Sequence, residues 1–194
     1  MSILTQKLPQ VVIIEGLEVR IKTDFRTSIQ FEQILKNKSL SDEEIWNQAL
    51  NLYYPIIPEN INEAINQMLW FYRCGKELKQ NESEEKQHQE VYSFEHDADS
   101  IYNAFRSQYN VNLKEEEDLH WWEFKAMFNG FKEDTDIAKK MSIRAMDTNK
   151  LPLEQREYYK KLKKLYEIPR DEEEEEIDEL DLVLMNGGDL EGIL

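Results

Sequence analysis

SDEEIWNQALNLYYPIIPENINEAINQMLWFYRCG, residues 41–75, decides the fold class. Ser41 and Glu44 stand at capping-box spacing. The Ser41 hydroxyl can accept from the third helical N–H while the Glu44 carboxylate reaches back to the Ser41 N–H. Ile45, Trp46, Ala49, Leu50 and Leu52 follow at helical intervals. Pro55 and Pro58 then stop the helix, because proline has no N–H for the ladder and its ring clashes with the preceding turn. A second helix is predicted over Glu59–Cys74, with Ile61, Ile65, Met68, Leu69 and Tyr72 on one face.

Toward the N-terminus a further helix is predicted over Phe25–Lys36, with Ile29, Phe31, Ile34 and Leu35 near one face. Before it, Val11–Ile14 and Leu17–Lys22 read as a β-hairpin around Glu15-Gly16. Leu17, Val19 and Ile21 alternate with Glu18, Arg20 and Lys22, the period of a half-buried strand. A lone hairpin is marginal in water, so helices must cover its apolar side. Residues 1–74 thus form a hairpin plus three-helix unit.

Toward the C-terminus, residues 75–92 are almost purely polar and read as a linker. Residues 93–169 form a second helical unit. Ser93 caps a helix over Phe94–Tyr109, with a stripe of Phe94, Ala98, Ile101, Tyr102, Phe105 and Tyr109. Glu115–Asn129 carries Leu119, Trp121, Trp122, Phe124, Met127 and Phe128, and Gly130 is its stop. Asp134–Met146 has acids at its start and Arg144 near its end, as the helix dipole favours. Pro152–Tyr166 holds Leu153, Tyr158, Leu162 and Leu165, with Lys160, Lys161, Lys163 and Lys164 on its outer faces. The fold class is mostly α: a short N-terminal hairpin followed by about seven helices.

Residues 170–194 are an acidic tail. They carry eleven acids and one Arg, and so supply most of the chain's net charge of −16. Mutual repulsion within Asp171–Glu176 predicts disorder in the free protein, and deleting the tail is expected to leave the melting temperature unchanged. Ile177, Leu180 and Leu184 interrupt the acids at helical spacing. The plain reading is a solubilising tail; the functional alternative makes these residues a binding stripe, for a groove on this chain or for a basic partner.

The acidic balance repels phosphate and argues against nucleic acid or an anionic membrane as partner. One cysteine, Cys74, allows no internal disulfide and fits a reducing compartment. The N-terminus lacks the pattern of a signal peptide, and no stretch approaches the roughly 20 apolar residues of a membrane span.

Candidate chemistry is sparse. His96-Asp97 with Asp99 and His120 is the best case for a metal-dependent hydrolase, yet neighbouring ligands alone cannot complete a coordination shell. The plainer reading is that these acids stabilise a helix N-terminus. Glu85…His88 and Glu117…His120 have the spacing of di-iron bundle ligands, but the first pair lies in the polar linker. Neither a nucleophile elbow nor a phosphate-binding glycine loop occurs, and Cys74 reads as a small core residue. No catalytic, metal or cofactor site is therefore assigned. Trp121, Trp122, Phe124 and Phe128 read first as core, with a partner surface as the functional alternative, since Trp is enriched at interface hot spots.

Several segments together carry a resemblance. They are Ile14-Glu15-Gly16 followed by Ile21-Lys22-Thr23-Asp24-Phe25-Arg26, then Asp97-Ala98 with Ile101-Tyr102 and Ala104-Phe105. The last is Leu119-His120-Trp121-Trp122-Glu123-Phe124, leading to Phe128-Asn129-Gly130. In order and spacing the chain up to Pro169 resembles a phage tail-morphogenesis family named for the fifteenth gene product of its founding phage. The family's genes usually lie between those of the major tail protein and the tape-measure protein. The resemblance implies a non-enzymatic tail-assembly chaperone in the host cytoplasm. Its partner would be the tape-measure protein or another tail protein, or a second copy of the chain. A metal-dependent hydrolase and an acidic inhibitor mimicking nucleic acid are the competing expectations.

Overall fold

The computed structural model describes residues 3–76 and 90–169. Two compact units are present, one ending at Ala145 and one beginning at Met146.

The first unit opens with an antiparallel hairpin, β1 (Val11–Ile14) and β2 (Leu17–Arg20). Val12 pairs with Val19 and Ile14 with Leu17, so Val12 and Ile14 share the buried face. Glu15 and Gly16 both take positive φ, 52° and 77°, as a two-residue turn requires. The helices α1 (Phe25–Lys36), α2 (Asp42–Tyr53) and α3 (Ile61–Tyr72) follow. The capping box of α2 is present as read, with Ser41 and Glu44 in both roles.

The buried faces of α1 and α3 differ from the expected ones. On α1, Phe25, Thr27, Ser28, Phe31 and Glu32 point inward, while Leu35 is exposed. Ser28 and Glu32 are tolerated there because each finds a partner. Ser28 Oγ lies 2.8 Å from Tyr53 Oη, and Glu32 accepts from the Tyr72 hydroxyl at 2.9 Å. On α3, Ala64, Met68 and Phe71 are buried and Ile61 is exposed.

Beyond residues 77–89, which lie outside the described residues with most of the expected linker, the unit continues with α4 (Ala98–Tyr109), α5 (Trp121–Asn129) and α6 (Asp136–Ala145). Residues on both sides of 75–92 share one core: Phe25, Phe31 and Phe71 belong to the same buried cluster as Phe105, Trp121 and Phe124.

Two starts were expected earlier. Ser93 does act as a cap, accepting from the N–H groups of Glu95 and His96, but over a single turn before α4 begins at Ala98. The predicted helix over Glu115–Asn129 begins only at Trp121, because the backbone before it is already engaged. Arg26 donates to the carbonyls of Leu113 and Glu116, each at 2.7 Å. The Phe25 N–H donates to Leu119 O and the Trp121 N–H to Thr23 O, an antiparallel bridge centred on Asp24 and His120.

The second unit, as far as Pro169, holds a 3-10 turn at Thr148–Lys150 and helix α7 (Leu153–Leu165). Arg156 ties α7 to the preceding segment by donating to the carbonyls of Leu151 and Asn149.

Candidate functional site

Four of the residues singled out from sequence, Trp121, Trp122, Phe124 and Phe128, are brought together in the core rather than on the surface. Their setting explains why neighbouring tryptophans are both buried. Trp121 Nε1 donates to Tyr72 O and Trp122 Nε1 to Phe71 O, both at 2.8 Å, so the two indoles satisfy carbonyls at the end of α3. Phe124 stacks on Phe25 at 4.9 Å and on Phe105 at 4.7 Å between ring centroids. Ile177, Leu180 and Leu184 lie outside the described residues.

The metal candidates are held in other roles. His120 is the N-cap of α5: its Nδ1 accepts from Trp122 N at 3.0 Å, and Nε2 lies 3.0 Å from Pro9 O. A ring that accepts at Nδ1 and donates at Nε2 is the neutral tautomer with no lone pair left for a metal. Burial accordingly holds its pKa below the ordinary histidine value, against the opposing pull of Pro9 O and Glu123. The Asp97 carboxylate is taken by Arg144, at 2.5 and 3.0 Å, and by the Ser93 N–H at 3.0 Å. Asp97 is buried while His96 and Asp99 are exposed, so the three do not converge. Among the described residues no group of three or more His, Cys, Asp or Glu side chains is placed to hold a metal. Glu85 and His88 lie outside the described residues.

A half-buried polar cluster, which sequence reading missed, joins α1, α3 and α5. Glu32 accepts from the hydroxyl of Tyr72 and lies 3.5 Å from that of Tyr92, and Lys36 Nζ lies 3.1 Å from it. Lys125 donates to Tyr92 Oη at 3.0 Å, its ammonium between the rings of Tyr92 and Trp121, 5.2 and 5.3 Å from their centroids. Burial pulls the Lys125 pKa down and pushes those of Tyr72 and Tyr92 up. Burial also pulls Lys36 down, but Glu90 and Glu32 outweigh it and leave its pKa raised. The hydroxyls, ammonium and carboxylate satisfy one another, which is the arrangement of a structural tie.

Several large aliphatic side chains are exposed. Glu15 N donates to Glu63 Oε2 at 2.9 Å and Asn60 Nδ2 to Glu15 Oε1 at 3.0 Å, which fixes the hairpin turn against the first turn of α3. Leu17 follows the turn and Ile61 opens α3, exposed at 69% and 43%, while Ile56 and Ile57, between α2 and α3, are exposed at 83% and 37%. Exposed branched aliphatics beside the hairpin turn and the start of α3 are a candidate contact surface. Periodicity could not show it, since Leu17 and Ile61 sit in patterns that otherwise face the core.

These features define a small, mostly helical protein with an N-terminal β-hairpin. The chain belongs to the Bacteriophage Gp15 protein family, whose model matches residues 4–168. Comparison with curated proteins and with solved structures found no match. Among the described residues no helix is long and apolar enough to cross a membrane.

Proposed function

We propose that this phage protein is a non-enzymatic tail-assembly chaperone that binds the tape-measure protein in the host cytoplasm, with Leu17, Ile56, Ile57 and Ile61 as the contact. The observation that carries the reading is the exposure of these four aliphatic side chains, beside the hairpin turn and on and before α3. Family membership supports it, since such genes usually neighbour the tape-measure gene. A tape-measure protein is a long helical chain whose apolar stripes lie open before the tail tube encloses them. Exposed branched side chains offer such a stripe burial at about 25 cal/mol per Å². His120 and Asp97, committed to a cap and to an ion pair, favour this reading over a hydrolase.

Co-expression tests it. The tape-measure protein should gain soluble yield and co-purify with the wild-type chain, and a Leu17→Asp/Ile56→Asp variant should lose the complex while keeping its melting temperature. A partner equally soluble alone, with no complex formed, would end the proposal.

A further inference from the structure

The sheet pairs β1 with β2 alone, so each strand has an outer edge. Along an antiparallel ladder, hydrogen-bonded pairs alternate with non-bonded ones. Ile21 N donates to Gln10 O at 3.2 Å, so Gln10–Ile21 is a bonded pair, and by alternation so are Val12–Val19 and Ile14–Leu17. Glu18 and Arg20 sit in the non-bonded pairs, opposite Ile13 and Val11. Their N–H and C=O groups therefore turn away from β1. Lys22, the next residue of that parity, shows the edge in use: its N–H donates to Tyr53 O at 2.8 Å. Before it the edge is open. Among the described residues no backbone group bonds to Glu18 or Arg20 from that side, and neither side chain has an ion-pair partner. Both residues are exposed.

An open edge is a template for a further strand. We propose that β2 pairs antiparallel with β2 of a second copy about a two-fold axis at Val19, giving one continuous sheet across both chains. Charge selects this register. A two-fold axis at Glu18 would set that carboxylate against its own copy, and an axis at Arg20 would do the same with guanidinium groups. Like charges directly opposite on neighbouring strands are destabilising. With the axis at Val19, Glu18 faces Arg20 of the second copy, and Arg20 faces Glu18 of the second copy. Both of these pairs are of the bonded kind, so each exchanges its backbone N–H and C=O groups as its side chains meet. Leu17 comes level with Ile21 of the second copy, which turns back at its own Glu15-Gly16, so Tyr53 keeps its bond to Lys22. The outer edge of β1 offers only Val11 and Ile13, which provide no charge pairing to fix a register. Strands this short bury less than the roughly 1,200 Å² of a stable interface, so the dimer is weak and depends on concentration.

Sedimentation equilibrium of the full chain across a concentration series tests this. The wild type should pass from monomer to dimer as concentration rises. Glu18→Arg and Arg20→Glu should each weaken self-association at least about tenfold, because each sets like charges opposite at both pairs. Their melting temperatures should match the wild type, since both positions are exposed. Mixed in equal amounts, the two variants should recover association as a heterodimer, in which every charge again meets its opposite. A wild-type chain that stays monomeric at every concentration would overturn the proposal. So would a dimer indifferent to both substitutions, which would place the contact elsewhere, or a mixture no more associated than its components. The chaperone reading stands apart from all three results, since its readout is the tape-measure protein.

Discussion

Replacing Arg144 with Met should be among the most damaging single changes in this fold, and the damage should depend on pH. The Arg144 and Asp97 side chains are 7% and 2% exposed and meet in a bidentate pair at 2.5 and 3.0 Å. Arg144 also donates to Val91 O, so it ties the approach to α4 onto α6. Removing one member of such a pair leaves the other charge buried, at a typical cost of about 3–5 kcal/mol. For a unit of this size that corresponds to a fall in Tm of about 10–20 °C. In the wild type, burial pushes the Asp97 pKa up, but Arg144, the Ser93 N–H and Lys140 together hold it below the usual carboxylate value. A depressed folded pKa means that the contribution is complete above the unfolded value of about 3.9 and is lost as pH falls through the folded one. Without Arg144 the sign reverses: the buried carboxyl prefers its proton, and the Tm deficit of the variant should shrink between about pH 6 and pH 4. Circular dichroism melts across that range measure both effects. Asp97→Leu/Arg144→Met, which removes both charges, should melt higher than Arg144→Met alone. A single-variant cost below about 1 kcal/mol with a deficit indifferent to pH would refute the reasoning.

His120→Asn should keep an acceptor at the N-cap of α5 while removing a titration. Burial depresses the folded pKa of His120, so wild-type stability should fall as pH drops below about 6.5, and melts of the Asn variant should lack that decrement. Gly75→Ala should destabilise by about 1–3 kcal/mol in urea titrations. Gly75 sits at φ 71°, and an added Cβ would stand 2.9 Å from the Trp122 ring, which is itself held by its bond to Phe71 O.

How much was legible depended on whether a residue's partner lay nearby in sequence. The hairpin turn, the Ser41 capping box and both ends of α1 follow from local chemistry, and the structure has them as read. The start of α5 does not, because Leu113 and Glu116 surrender their carbonyls to Arg26, nearly ninety positions away. The inward face of α1 was misjudged for the same reason: Ser28 and Glu32 are buried because Tyr53 and Tyr72 answer them. Amphipathic spacing ranks side chains by hydropathy and knows nothing of distant hydroxyls. Leu17, Ile56 and Ile61 escaped notice because an aliphatic residue in a periodic pattern reads as core until the fold leaves it uncovered.

The bonds from Trp121 and Trp122 to the end of α3 also set a schedule for synthesis. They close separations of 49 and 51 residues. A ribosome adds about 5–20 residues per second, so roughly 2–10 s pass between the emergence of α3 and that of its partners. During that interval Phe25 lacks Phe124 and Phe71 lacks Trp122, and the nascent N-terminal half presents unfinished aromatic surface. Synonymous codons that slow the ribosome within 77–118 should lengthen this exposure and lower soluble yield without altering a single side chain.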